Sequence, residues 1–181
     1  TGGYWTLCTV ILKLMQQIAL LLPNIRSTFN VGSIFRSAEI FGINEIIISG
    51  YTPYPELKND PRIPHLSQKI NRQISKTALG TEKLVPFRYF PDTDDALVYL
   101  NKSGYELVAL EQNEQSIPLT EYFPKSKTAI IIGEEVSGID NELLNQCSKI
   151  VEIPQIGSKE SLNVANAVAI LLYDISIGKQ K

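Results

Sequence analysis

Apolar residues follow two different spacings along the chain. Short, almost wholly apolar runs are typical of buried strands. They cover Gln17–Leu22, Asn44–Gly50, Lys83–Phe90, Tyr105–Leu110, Thr128–Gly133 and Lys149–Pro154. Between these runs, helical spacing of apolar residues and polar starts with glycine stops predict helices. The predicted helices are Val31–Phe41, Asn71–Gly80, Asp92–Gly104, Asp140–Cys147 and Ser161–Ile177.

This alternation of strands and helices predicts an α/β fold, with a mainly parallel sheet and helices on both faces. Residues Tyr51 to Ile70 are rich in Pro, Tyr and Lys without a clear period, so we expect a long loop there, either functional or disordered. No repeat, low-complexity tract or break in composition marks a second domain. We therefore expect a single domain over residues 15–181.

The first residues leave two interpretations open. Residues 7–22 are apolar, but Lys13, Gln16 and Gln17 interrupt them. A membrane span needs about 20 mainly apolar residues, so the sequence predicts no association with a membrane. Met15 is the only methionine, and residues 1–14 are either native or an upstream segment before a start at Met15.

The composition restricts the chemistry that the chain can perform. Cys8 and Cys147 are the only cysteines, which is too few for a disulfide framework and favours a reducing, cytoplasmic compartment. His65 is the only histidine, which rules out a multi-histidine metal site. We therefore expect chemistry without a metal.

Positive charge is concentrated in one part of the chain. The whole chain has a net charge of −2, but residues 58–88 contain seven Lys or Arg against two acidic residues, a net charge of +5. This basic segment predicts a phosphate-binding surface, and the alternative is a solvated loop without a partner. Tyr51 and Tyr54 precede it, and either stack on a ligand or pack against the proline-rich loop.

Three polar segments leave predicted strands at their carboxyl ends, where ligands collect in open parallel sheets. They are residues 24–42, 133–139 and 153–167. Asn30 and Ser161 can be explained as helix caps, and Gly133 and Gly138 as turn residues. Asn163 is harder to explain, because a side-chain amide is a poor choice inside the first turn of an apolar helix.

Arg36 also needs an explanation. It lies near the start of a predicted helix, where the positive end of the helix dipole disfavours a cation. Either the side chain points into solvent or an anion lies nearby.

In these three segments the sequence resembles the SpoU/TrmH family of RNA 2′-O-ribose methyltransferases, within the SPOUT class. The resemblance covers roughly residues 17–177. The matching residues of the first segment are Asn30, Gly32, Arg36, Ala38, Phe41 and Gly42. Those of the second are Gly133, Glu135, Gly138 and Ile139, and those of the third are Ile153, Pro154, Gly157, Ser161, Leu162, Asn163 and Val164.

The resemblance implies a fold, a cofactor and an assembly. The carboxyl-terminal segment would be threaded through a loop as a deep trefoil knot, which is rare among proteins. S-adenosylmethionine would be held mainly by backbone groups, at positions Leu110, Gly133, Ile153 and Leu162. The protein would be a homodimer whose site is completed across the interface.

The resemblance also implies roles for five polar residues. Arg36 would face the ribose 2′-hydroxyl, either as the base that takes its proton or as the group that binds a neighbouring phosphate; the first role is awkward for a guanidinium. Asn30 and Ser161 would position Arg36 or the phosphate, and Glu135 would hold Arg36 or a neighbouring loop. Asn163 would brace the first segment against the third.

The RNA substrate is narrowed only partly. Arg62, Lys69 and Arg72 of the basic segment are the candidate RNA contacts. Transfer RNA is the first expectation, because small single-domain relatives often act on it, and ribosomal RNA is the alternative. Val136 stands where relatives often carry a basic or polar residue, which removes one RNA contact. A non-catalytic RNA-binding protein that kept the fold is the alternative from another functional class.

Overall fold

The computed structural model describes residues 16–159 and 161–178. Its seven strands are β1 (Gln17–Pro23), β2 (Glu45–Ser49), β3 (Phe87–Phe90), β4 (Glu106–Leu110), β5 (Ile117–Pro118), β6 (Lys127–Ile132) and β7 (Lys149–Glu152). Its five α-helices are α1 (Thr28–Phe41), α2 (Pro64–Ala78), α3 (Thr93–Lys102), α4 (Asn141–Leu144) and α5 (Val164–Tyr173). Two 3₁₀ turns, Thr81–Lys83 and Leu119–Glu121, and a terminal π-helical turn, Asp174–Gly178, complete the described elements.

The strands form one sheet in the order β3-β2-β1-β6-β4-β7-β5, and every neighbouring pair is parallel. All seven carboxyl ends therefore lie at the same edge of the sheet. The expected α/β fold with a mainly parallel sheet is confirmed. No helix within the described residues is long and apolar enough to cross a membrane.

Alternate residues of the strands face two separate apolar cores. Leu20, Ile46 and Ile130 pack on one face with residues of α1, α2 and α5. Leu21, Ile47 and Ile131 pack on the other face with residues of α3 and α4. The expected placement of helices on both faces follows from this alternation, because a parallel sheet must have both of its faces covered.

Helix α1 is fixed by its ends and by one close contact. Ser27 caps it by accepting a hydrogen bond from the backbone N–H of Asn30, at 3.2 Å. Gly42 ends it in the left-handed conformation that glycine adopts without strain. A Cβ atom at Gly32 would overlap Thr77 and the carbonyl of Ile74, so glycine permits α1 and α2 to pack closely.

Three predicted boundaries are corrected. The strand predicted over Lys83–Phe90 is shorter, and β3 covers only Phe87–Phe90, because the chain first completes a 3₁₀ turn at Thr81–Lys83. Helix α2 begins at Pro64 rather than at Asn71, because proline suits the first turn of a helix, where its missing N–H costs nothing. The expected long loop is therefore shorter than residues 51–70. Helix α5 begins at Val164 rather than at Ser161, and Asn163 is its cap. The question about residues 1–14 lies outside the described residues.

Candidate functional site

Three loops meet at the carboxyl edge of the sheet. They follow β1, β6 and β7 and comprise residues 24–27, 133–140 and, in the third loop, the described residues 153–159 and 161–163. Strands β1 and β6 are neighbours, and β4 separates β6 from β7. The first loop leads into α1 and the third leads into α5, so both helices start at this edge.

Glu135 joins the second loop to the first. Its carboxylate accepts hydrogen bonds from Asn30 Nδ2 at 3.0 Å and from the backbone N–H groups of Arg26 at 3.2 Å and Ser27 at 3.4 Å. Burial raises the pKa of Glu135, but the hydrogen bonds from Asn30 and the backbone outweigh it and hold the pKa below its usual value. Glu135 is therefore an anion that anchors the loop before α1.

Asn163 joins the third loop to the first. Its Nδ2 donates a hydrogen bond to Asn30 Oδ1 at 3.1 Å. Its Oδ1 accepts hydrogen bonds from the backbone N–H groups of Ala165 and Asn166, at 3.0 and 3.3 Å. Asn163 is thus a helix cap and a brace at once, which explains an amide at this position better than a ligand-binding role alone.

Beside this network lies a cavity of about 350 Å³, which Glu135 and the two neighbours of Asn163, Leu162 and Val164, help to line. Leu110, Gly133 and Ile153 line it from the ends of three adjacent strands, β4, β6 and β7. Leu162 and Ser161 line it from the third loop, and Glu135 lines it from the second. All four positions expected to hold a cofactor therefore line the same cavity, whose walls combine apolar side chains with loop backbone.

The second loop folds back on itself beside this cavity. Glu134 and Gly138 pair as an isolated antiparallel bridge, with backbone hydrogen bonds of 3.1 and 3.0 Å. Gly138 has a φ of 67°, and a Cβ atom there would overlap the carboxylate of Glu111. That carboxylate accepts a hydrogen bond from the backbone N–H of Ile139 at 2.9 Å. Sequence reasoning missed Glu111, because nothing in its local pattern marks it as the support of a distant loop.

Arg36 stands apart from this network. Its side chain is exposed on α1. Because α1 begins at Thr28 rather than at Val31, Arg36 lies two turns from the helix start and not near it as expected, so the helix dipole explains little about this position. Within the described residues Arg36 makes no hydrogen bond or ion pair. Two partners were expected for Glu135, Arg36 or a neighbouring loop. The structure shows that Glu135 binds the first loop and not Arg36. The guanidinium is consequently available to an external anion.

The sequence profile of the SpoU rRNA Methylase family matches residues 17–173, most of the described chain. The chain belongs to this SpoU family. The tRNA (guanosine(18)-2′-O)-methyltransferase of Escherichia coli is 23% identical over 177 residues, which cover 98% of this chain and 70% of that enzyme. The enzyme of the same name from Thermus thermophilus is 24% identical over 168 residues, which cover 91% of this chain and 77% of the relative.

Solved structures share the fold of this chain. An AdoMet-bound rRNA methyltransferase from Sinorhizobium meliloti matches with a TM-score of 0.75 at 22% identity, over 94% of this chain and 61% of that one. This chain thus spans about three fifths of that protein's length. The TrmH/SpoU tRNA modifying enzyme of A. aeolicus matches with a TM-score of 0.71 at 20% identity, over 93% of this chain and 81% of that one. At these identities the likeness shows the fold.

The basic segment of this SpoU chain contains two kinds of cation. Arg62 bonds to both carboxylate oxygens of Asp60 and to the carbonyls of Tyr54 and Pro55, and its side chain is only 15% exposed. Lys69 and Arg72 are exposed on α2, a helix without any acidic residue. Among the described residues, Lys69 and Arg72 make no hydrogen bonds or ion pairs like those of Arg62.

The two tyrosines before the basic segment also differ. Tyr54 is buried, with its ring stacked on Tyr89 at 4.0 Å between centroids and covered by the guanidinium of Arg62 at 3.6 Å. Packing is therefore the role of Tyr54. Tyr51 is exposed, beside the first and second loops of the site. Among the described residues there is no cluster of three or more His, Cys, Asp or Glu that could hold a metal ion.

Proposed function

We propose that this protein transfers a methyl group from S-adenosylmethionine to a ribose 2′-hydroxyl of RNA. The observation that carries the proposal is the joining of three sequence-distant loops through Asn30, Glu135 and Asn163, next to one cavity that Glu135 and both neighbours of Asn163 line. Membership of the SpoU family supplies the class of reaction. The S. meliloti structure named as AdoMet-bound supports the cofactor.

The cavity fits S-adenosylmethionine in size and in chemistry. Its volume of about 350 Å³ lies in the usual range for small-molecule sites. Leu110, Ile153 and Leu162 offer apolar surface, and Glu135 offers a carboxylate near the mouth. We propose that Leu110, Gly133, Ile153 and Leu162 hold the cofactor, mainly through their backbone groups. When bound, S-adenosylmethionine supplies the electrophilic methyl group.

The residues of the chain position the hydroxyl that accepts this methyl group. We assign Arg36 to the RNA phosphate next to the reacting ribose, because its side chain is exposed and because a guanidinium does not readily give up its proton. Asn30, Glu135 and Asn163 fix the turn from which α1 projects Arg36. Ser161, exposed on the cavity wall, is placed to contact the ribose or its phosphate. Holding two reactants in line contributes up to roughly 7–11 kcal/mol to catalysis.

The RNA runs over α2 in this proposal. Lys69, Arg72 and Lys76 are exposed at spacings of three and four, so they share one face of the helix. Because α2 packs against α1, this basic face adjoins the helix that carries Arg36. Arg62, which is held by Asp60, contributes by shaping the loop before α2 rather than by direct contact.

Transfer RNA is the proposed substrate, since the E. coli and T. thermophilus relatives are named as tRNA methyltransferases. Ribosomal RNA is the second candidate, favoured by the S. meliloti structure. A cytoplasmic location remains a prediction from cysteine usage. The deciding experiment is incubation with a labelled methyl donor and separated transfer and ribosomal RNA, followed by mapping of the modified nucleotide. If neither RNA is labelled while the cofactor binds, the alternative of a non-catalytic RNA-binding protein is favoured.

We propose that a second copy of the chain covers the outer ends of α1 and α5. Ile40, Ile170 and Tyr173 are exposed there, and the edge contact of Phe41 with Tyr173, 6.4 Å between centroids, brings the two helix ends together. Exposed apolar clusters of this kind mark protein interfaces. Ile170→Lys should convert a dimer to a monomer in sedimentation, whereas a wild-type monomer would refute the proposal.

The trefoil knot is also a proposal, supported by the path of the chain. Strand β7 lies beyond β4, yet α5 packs on α1 near the middle of the sheet, so the third loop must cross back beside the second. Both loops line the same cavity. Pulling the chain from its ends should leave a contour shorter than the fully extended length of roughly 3.3–3.6 Å per residue.

A further inference from the structure

Arg26, in the turn before α1, has a side-chain environment that the proposed reaction leaves unexplained. Its guanidinium forms an ion pair with Glu134, and the two side chains are 60% and 13% exposed. The Tyr51 side chain lies near both. The ion pair thereby joins the residues after β1 and β6 at the carboxyl edge of the sheet, and the backbone N–H of Tyr51, after β2, donates a hydrogen bond to Asn24 Oδ1 at 3.2 Å.

Glu134 is built into the second loop. Its backbone pairs with Gly138, and its carboxylate accepts a hydrogen bond from the hydroxyl of Ser137. This hydrogen bond, together with the nearby cation of Arg26, holds the pKa of Glu134 below its usual value. Glu134, Ser137 and Gly138 all line the cavity assigned to the cofactor. A displacement of Glu134 would therefore move the cavity wall.

Two consecutive acidic residues, Glu134 and Glu135, bind the first loop in different ways. Glu135 accepts hydrogen bonds from the backbone N–H groups of Arg26 and Ser27, while Glu134 pairs with the side chain of Arg26. The backbone contact would persist for any residue at position 26 except proline, which has no N–H. Only the side-chain contact requires an arginine there.

We propose that Arg26 is a positioning residue that holds the second loop, through Glu134, in the shape that binds S-adenosylmethionine. The inference rests on the proposed function, because it assigns a role within the same cavity. It acts on the cofactor side of the reaction, whereas Arg36 acts on the RNA side. Loss of the Arg26 contact should thus weaken cofactor binding and leave turnover at saturating cofactor unchanged.

A different role for Arg26, direct contact with RNA, predicts a different pattern. An RNA contact would make Arg26→Gln weaken RNA binding, and Glu134→Gln would strengthen it by removing a competing carboxylate. A positioning role makes both substitutions raise the dissociation constant of the cofactor. The signs of the two substitutions therefore separate the two roles.

The test measures S-adenosylmethionine binding by calorimetry for wild type, Arg26→Gln, Glu134→Gln and the double variant. We expect each single change to raise the dissociation constant about three- to fivefold, as for a partly exposed ion pair. The double variant should be no weaker than the weaker single variant, because both changes remove the same contact. Arg26→Lys, which keeps the charge, should restore binding to within about twofold of wild type.

The chain offers a closely matched control in the ion pair of Arg88 with Glu45, whose side chains are 59% and 15% exposed. It lies at the amino edge of the sheet, so Arg88→Gln should leave the cofactor dissociation constant unchanged. Wild-type affinity in Arg26→Gln, or opposite effects of the two single changes on RNA binding, would overturn the inference. Absence of cofactor binding by the wild type would instead overturn the proposed function itself. Thermal unfolding identifies any variant that has lost its fold.

Discussion

Arg36 and Arg62 are both in regions that the sequence marks as basic or unusual, and the structure uses them in opposite ways. Arg62 is enclosed by Asp60, by two backbone carbonyls and by the ring of Tyr54. Arg36 is exposed, without a recorded hydrogen bond or ion pair among the described residues. A guanidinium whose donors are already occupied has little left to offer a ligand. The comparison separates a cation that stabilises the fold from one that is available for chemistry.

The loop around Arg62 and the site beside α1 also differ in how far apart in sequence their contacting residues are. The partners of Arg62 lie within eight residues of it, so that loop holds itself together. At the site beside α1, Asn30 binds Glu135 and Asn163 across 105 and 133 residues. A substitution at the first region should affect local stability, and one at the second should affect the shape of the site.

The largest expected effect is on Arg36. Arg36→Ala should lower methyl transfer by about 100-fold or more, the usual result of removing a preorganised charged group, and leave the cofactor dissociation constant within a few-fold. Radiolabel transfer and calorimetry measure the two quantities. Equal losses of activity and cofactor binding would show instead that Arg36 supports the cavity.

Arg36→Lys sharpens this result. A lysine keeps the charge for a phosphate but loses the planar fork of the guanidinium. Partial activity would support the phosphate-binding role. An inactive enzyme with undiminished RNA affinity would contradict that role and favour proton removal by Arg36.

The second largest effect is the loss of folding stability on substitution of Arg62. Arg62→Ala should lower the free energy of unfolding by about 1–3 kcal/mol, because Asp60 and two carbonyls lose a charged, largely covered partner. Urea denaturation measures this change. Arg88→Ala, which removes an arginine that is itself 59% exposed, is the control and should cost less than about 1 kcal/mol. If Arg62→Ala leaves the free energy of unfolding unchanged but weakens RNA binding, Arg62 contacts RNA directly.

Much of the fold could be predicted because strands in a parallel sheet are buried on both faces and appear as uninterrupted apolar runs. Ile46–Ile48 and Ile130–Ile132 are of this kind, and both lie in strands. The start of α2 was missed because its first turn, at Pro64 and His65, is exposed and has no apolar period to detect. Short β5, with two residues, gives no pattern at all.

The site was predicted in part, and the limits have physical reasons. Asn30, Glu135 and Asn163 were recognised through a family resemblance, and the resemblance itself is confirmed. Their mutual contacts depend on loop geometry that no local pattern encodes. Arg26 and Glu134 went unnoticed, since an arginine in a turn and a glutamate in a loop are ordinary surface residues until the fold brings them together.

A third prediction concerns the basic face of α2. Lys69→Gln combined with Arg72→Gln should weaken RNA binding and make the slope of log affinity against log salt shallower by about 1.4–1.8, for two lost phosphate contacts. Fluorescence anisotropy over a salt series measures the slope. Lys102→Gln combined with Lys149→Gln removes the same charge from exposed positions elsewhere and should leave the slope unchanged. If the two double variants have the same salt slope, α2 is not part of the RNA-binding surface.

The smallest effect is the pH dependence that Glu135 confers. Its pKa in the folded protein lies below its usual value, so the carboxylate stabilises the fold above that usual value, and this contribution is lost as the pH falls through the folded pKa. Urea unfolding of wild type and Glu135→Gln should therefore show the largest difference near neutral pH and a shrinking one in acid. A difference that stays constant across this range would mean that the turn before α1 is held by the shape of the loops, with no contribution from the charge of Glu135.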